Sequence, residues 1–147
     1  MLGIVAFGTI LAGCATWLGP HASRRQAQVA ARVAMHLRGR PYRYGGEHPA
    51  TGFDCSGLVH YSYARAGLNL PRTARALSHL GRPVSRYHLL AGDLVFFYEH
   101  GLPYGHVGVY VGRGRFVHAP APGQRVTDSS LENPYWGRHW AGARRLW

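Results

Sequence analysis

One cysteine and two histidines in this chain are placed where they could share covalent chemistry. Cys55 stands in Gly52-Phe53-Asp54-Cys55-Ser56-Gly57-Leu58-Val59. Leu58, Val59, Ser62 and Ala66 follow it at helical spacing, which puts Cys55 on the inward face of the helix it begins. Gly67 is the C-terminal stop. A thiol at a helix N-terminus meets unpaired backbone N–H groups and the positive end of the macrodipole. Both favour the thiolate, which is the nucleophilic form. The competing reading is a buried structural cysteine.

The histidines come from Gly105 to Ala119, which alternates as two strands joined at Gly112-Arg113-Gly114. With a three-residue turn, Val111 faces Arg115 and Gly108 faces His118. His106 then shares the face of His118 as its diagonal neighbour, about 7–8 Å away by Cα. Val107, Val109 and Val111 take the opposite, core-facing side. Gly108 leaves room above the sheet. A thiol, an imidazole base and a second polar group behind it make a nucleophilic site. In that reading His106 is the base and His118 the orienter. Zinc held by one Cys and two His competes, but the paired C-x-x-C or H-x-x-x-H spacing is missing. In the third reading the histidines are satisfied polar residues. The chain has ten histidines, and the other eight have no comparable constellation.

The elements that must position these groups are legible in outline. Ser23 caps a helix running to about Arg38, with Val29, Ala30, Val33, Ala34 and Leu37 on its apolar face. Gly39 and Pro41 end it. A loop leads from Pro41 through the tyrosines Tyr42 and Tyr44 to the Cys55 helix. Thr73 caps a short helix to about Leu80. Leu94 to Tyr98 reads as a strand buried on both faces, and Glu99 to Gly105 as a loop. Strands are expected near Gln124–Thr127 and His139–Arg145. The late aromatics Tyr135, Trp136, Trp140 and Trp147 are packing residues in this reading.

The chain of 147 residues is long enough for one domain with a real core, and its apolar and aromatic content argues against global disorder. All 17 basic residues are arginine, and the formal charge is +11. A scattered basic surface of this kind is either simply solvated or drawn to an anionic polymer or membrane face. No zinc-finger spacing or aromatic RNA-binding motif supports nucleic acid. Residues 1–14 are apolar and uncharged, and too short to span a bilayer. They resemble a secretory signal, and Leu11-Ala12-Gly13-Cys14 resembles a lipobox. That resemblance implies cleavage before Cys14 and lipid on it. Residues 1–13 are then signal, 14–22 a tether and 23–147 the catalytic domain. Cys55 would be left without a disulfide partner.

Taken in order, Pro41-Tyr42-x-x-Gly45-Gly46, Asp54-Cys55-Ser56-Gly57-Leu58-Val59, Gly92-Asp93-Leu94-Val95-Phe96-Phe97, His106-Val107-Gly108-Val109-Tyr110 and His118-Ala119 resemble the NlpC/P60 family of cell-wall peptidases. With the lipobox, the chain is similar to single-domain lipoprotein murein endopeptidases. The resemblance implies a papain-like α+β fold, the Cys helix packed on an antiparallel sheet. It makes Cys55 the nucleophile, His106 the base and His118 the third member. Tyr42 matches the tyrosine near the oxyanion site, with Tyr44 its rival. Asp54 and Ser56 would line the substrate groove, and Arg72 would form groove wall or a structural contact. The implied activity is hydrolysis of amide bonds in peptidoglycan stem peptides or cross-links, without metal or cofactor. A monomer on the periplasmic face of the envelope, anchored as an outer-membrane lipoprotein, is implied too. A non-catalytic wall-binding module and a thiol acyltransferase of related fold are the alternatives.

Overall fold

Ser23 starts the first helix as the sequence predicts. Its hydroxyl accepts from the Gln26 N–H at 3.1 Å, and the Gln26 side chain accepts from the Ser23 N–H at 2.8 Å. The computed structural model describes residues 19–147, and the segment read as a signal, with Cys14, lies outside them. The elements are α1 (Arg24–His36), β1 (Glu47–His48), β2 (Gly52–Phe53), α2 (Cys55–Arg65), α3 (Ala74–Leu77), β3 (Arg82–Pro83), a 3-10 turn (Arg86–His88), β4 (Leu94–Glu99), β5 (Leu102–Gly112), β6 (Arg115–His118), β7 (Thr127–Ser130), α4 (Pro134–His139) and β8 (Trp140–Arg145). Six strands form one antiparallel sheet in the order β3-β8-β4-β5-β6-β7, and β1 and β2 pair separately. The architecture is α+β, with helices packed on the sheet. Ala22, placed in the tether by the sequence reading, is fully buried and donates its N–H to the Leu146 carbonyl at 2.7 Å.

β4 is apolar on both faces because both faces are covered. Leu94 and Phe96 join the core beneath the helices, while Val95 and Phe97 join a second cluster with Phe116, Leu131 and the half-buried Trp136 and Trp140. The inward face of α1 is broader than predicted: Ala30, Ala34 and Leu37 are buried as expected, Ala27 and Ala31 join them, and Val29 and Val33 are partly buried. The cause is a close approach at Gly92. A Cβ there would lie 2.6 Å from both the Cβ and the carbonyl oxygen of Ala27. Only small residues fit where helix backbone meets strand end so closely. Tyr63 of α2 reaches the same point, its buried hydroxyl donating to the Gly92 carbonyl at 2.6 Å. Beside it, buried Asp93 receives a two-pronged bond from Arg145, at 2.9 and 2.6 Å, which ties β8 to the start of β4.

Other boundaries also move. The Glu99–Gly105 loop is a two-residue turn, His100-Gly101, with φ of 50° and 74°, so β5 begins at Leu102. Both central residues at positive φ match the twist of a hairpin. β1 and β2 were unanticipated, being only two residues each. α3 stops at Leu77, β7 lies at Thr127–Ser130, and Pro134 opens a helix, α4, where only packing aromatics were expected.

Gly92 sits at φ 98° as well as against Ala27. Gly92→Ala is therefore expected to destabilise the fold by about 2 kcal/mol or more. The urea midpoint checks this, and an unchanged midpoint would refute the packing argument.

Candidate active site

α2 begins at Cys55 because Asp54 caps it. The Asp54 carboxylate accepts from the Gly57 N–H at 2.7 Å and from the Gly45 N–H at 3.1 Å. Arg72 then binds everything around this helix start. It donates to Asp54 at 2.9 Å, to Glu47 at 2.7 Å, to the Ser56 hydroxyl at 2.8 Å and to the Gly46 carbonyl at 3.2 Å. The sequence reading put Asp54 and Ser56 along a groove. The structure instead places them with Arg72 in one polar network, and Ser56 is buried. Of the two roles open to Arg72, this geometry is that of a structural contact. It clamps the loop before α2 onto the residue preceding the thiol.

The two histidines meet as the strand register requires. Val109 pairs with Val117 and Tyr110 with Phe116, the frame in which Gly108 lies across from His118. The hairpin turn is shorter than expected: Gly112 pairs with Arg115, and Arg113-Gly114 turns at φ 54° and 71°. A bulge between Tyr110 and Gly112 absorbs the extra residue and preserves the predicted facing. A Cβ on Gly108 would lie 2.8 Å from the Phe116 ring and 3.3 Å from the His118 Cβ, so the glycine does leave the required space. His106 Nε2 and His118 Nδ1 are 2.8 Å apart, and both residues are almost wholly buried.

Two further residues complete the pair, and sequence reasoning missed both. His118 Nε2 is 2.8 Å from the Ser129 hydroxyl. His118 pairs with Thr127 across β6–β7, so Ser129 is its diagonal neighbour. The signal was the same alternation that found the histidines, hidden because β7 was placed a few residues early. Trp136 of α4 stacks on His106, with centroids 5.5 Å apart and planes at 22°, and meets His118 edge-on at 4.8 Å. It packs, as expected, but it packs on the site.

Burial governs the protonation states. It pushes the Cys55 thiol up to about 11; backbone hydrogen bonds at Val107 and Ser56 oppose the rise, while Asp54 and Glu99 add to it. The helix terminus was expected to favour thiolate, but the cost of desolvating the charge is larger. Burial also lowers His106 to about 4. It lowers His118 to about 3, with help from His106 and opposed by Asp128. The isolated groups are therefore neutral near pH 7. Moving a proton from sulfur to imidazole would create both charges together and leave the net charge of the site unchanged. Cys55 packs against the core cluster that contains Val107, the residue next to His106.

Tyr42 is half-buried, and its phenol is raised by burial, then by the charges of Cys55 and Asp54. Its rival Tyr44 is 90% exposed. Both line an open cleft of about 780 Å³ with Tyr98, Glu99 and Tyr135. Among the described residues no three His, Cys, Asp or Glu side chains group as a metal site requires, and Cys55 is a free thiol. No helix there is long and apolar enough to cross a membrane.

Fold and site together define an α+β domain with a cysteine at a helix start beside a buried histidine pair on an antiparallel sheet. The chain belongs to the NlpC/P60 family, whose sequence model matches residues 39–145. It is 47% identical over 133 residues to the murein DD-endopeptidase MepH of Escherichia coli, covering 85% of this chain and 49% of that protein. It is 42% identical over 122 residues to the bifunctional muramidase/DL-endopeptidase CwlT of Bacillus subtilis, covering 81% and 36%. A solved NlpC/P60 family protein of Bacillus cereus superposes with a TM-score of 0.74 at 34% identity, covering 86% of this chain and 41% of that one. The chain thus spans about half, or less, of these relatives.

The histidines also set an acid limit on stability. His106 and His118 titrate near 6.5 when unfolded and well below that when folded, so the unfolded chain binds more protons from about pH 6.5 down to about 4. Stability falls as pH falls through that window, on the order of 3 kcal/mol for His106 alone. Urea midpoints at pH 7.5 and 4.5 should show the drop, and His118→Gln should flatten it. Equal slopes in the two proteins would contradict the assignment.

Proposed function

We propose that this domain is a cysteine endopeptidase that hydrolyses amide bonds in peptidoglycan stem peptides or cross-links. One observation carries the reading: Cys55 packs against the core cluster that contains Val107, the neighbour of His106 on β5, and the far nitrogen of His106 is 2.8 Å from His118. Membership of the NlpC/P60 family, and the endopeptidase names of its relatives, support the same substrate class.

The proposed proton transfer requires the hydrogen bonds to run in one direction. For His106 to take a proton at Nδ1, its Nε2–H must donate to His118 Nδ1. His118 must then donate its own Nε2–H to the Ser129 hydroxyl oxygen. With that tautomer in place, His106 removes the thiol proton as sulfur attacks the amide carbonyl. Backbone N–H groups at the start of α2, with the Tyr42 hydroxyl, receive the developing oxyanion. His106 protonates the leaving amine, and water then releases the acyl group from Cys55. Asp54, Ser56 and Arg72 hold the helix start in place for this. The lipobox resemblance further supports lipid on Cys14 and a place on the periplasmic face of the outer membrane, where the arginine-rich surface would meet anionic polymers.

Digestion of purified peptidoglycan, with products weighed by mass spectrometry, tests the reading and names the bond. Stem-peptide fragments are expected with the native protein and not with Cys55→Ala; intact material from both would refute it. Ser129→Ala should lower kcat about tenfold with little change in KM, since it strands a buried imidazole N–H. Ser129→Thr should restore most of the rate, and the imidazole ¹⁵N shifts should show the His106 tautomer redistributed only in the alanine variant. A full-rate Ser129→Ala enzyme would remove Ser129 from the proton chain.

A further inference from the structure

Six carboxylates in this chain face seventeen arginines. Glu47 and Asp54 are bonded to Arg72, Asp93 to Arg145, and Asp128 to Arg38 and Arg115. Among the described residues Glu99 and Glu132 pair with no arginine, and Glu132 is exposed just ahead of α4. The one ion-pair contact of Glu99 among them is His106, with Nδ1 3.8 Å from Oε1, and burial holds that imidazole neutral. Of these two carboxylates, Glu99 is the one that stands at the Nδ1 edge of His106.

The surroundings of Glu99 say what it is free for. It ends β4 and opens the His100-Gly101 turn, and it lines both the large cleft and an adjoining hollow of about 330 Å³ that reaches His106 and Trp136. Tyr44, Tyr98 and Tyr135 line the large cleft and are 90%, 46% and 51% exposed. Exposed aromatic faces around one carboxylate form a receptor for an alkyl ammonium, which gains both the charge and the ring quadrupoles. The groups facing Glu99 across this space are the phenols of Tyr42, Tyr44, Tyr98 and Tyr135 and the imidazoles of His100, His106 and His139. None is a permanent cation. With a formal charge of +11, the protein would repel a cationic ligand unless its cleft carried local negative charge.

We propose that Glu99 is a specificity-determining residue that binds a free primary ammonium of the peptide substrate, carried on a residue adjoining the scissile amide. This rests on the peptidase reading, since the site is the same cleft. Its placement beside His106 Nδ1 puts the ammonium within a residue of the bond that is cut. The tyrosines form the walls, and neutralising the ammonium should cost binding rather than turnover.

The test uses purified muropeptides, native and acetylated at their free amines, with native protein and Glu99→Gln. The native protein is expected to prefer the free-amine peptides by about tenfold in kcat/KM, carried by KM, as a charged hydrogen bond implies. Glu99→Gln should erase most of that preference. A preference that survives in Glu99→Gln, or one absent from the native protein, overturns the proposal while leaving the peptidase reading intact. A matching loss on both peptides overturns it too, and makes Glu99 a positioning residue for His106. Calorimetric binding of both peptides to Cys55→Ala, and to Cys55→Ala with Glu99→Gln, reads the site without turnover. Equal binding of the two peptides, or binding of neither, also overturns the proposal. If no muropeptide and no peptidoglycan is cut, the peptidase reading falls, and the binding arm still decides Glu99.

Discussion

The hydrogen bond between His106 and His118, both buried, can exist only while at least one imidazole is neutral, because two imidazoliums have no acceptor. Its 2.8 Å length depends on two strands held in one register, on a glycine between them, and on an indole laid across the outer ring. Each of those supports comes from a different element. β5 and β6 supply the rings, the bulge sets their facing, and α4 supplies Trp136. Moving any one by a residue would expose an imidazole or turn it to the other face, because side chains alternate along a strand.

The helix that bears the thiol is held by different physics. Its start is a charged network, with Arg72 bridging Asp54, Glu47 and the Ser56 hydroxyl. The histidine side is neutral, dry and aromatic. The pairing suits a site that must keep charge low until reaction. Desolvation penalises a lone thiolate or a lone imidazolium, whereas proton transfer between them makes both charges at once. The rise in the thiol and the fall in both imidazoles are thus compatible with a nucleophile that forms during attack rather than before it.

Glu99 is the carboxylate without an arginine partner that faces the cleft. It lies outside the clamp around α2 and outside the core ion pair of Asp93 and Arg145. It ends β4 at the edge of the cleft, beside the His100-Gly101 turn. Variation at such a turn can alter what the cleft accepts without disturbing the buried pair behind it.

Local pattern alone was enough to determine Ser23 and Thr73 as caps, Cys55 at a helix start, β4 as a doubly buried strand, and His106 and His118 on one face. Each of these follows from spacing within a dozen residues or from the period of a single element, which the chain carries whatever surrounds it. Tertiary structure alone decided that Ala27 also faces inward on α1, since Gly92 approaches it from a distant part of the chain. It decided that Arg72 joins four partners, that Ser129 ends the histidine chain, and that Trp136 covers it. It also reversed the expected charge state of the thiol. A helix N-terminus is visible in sequence, but the depth at which it is buried is not, and burial is the larger effect on a charge.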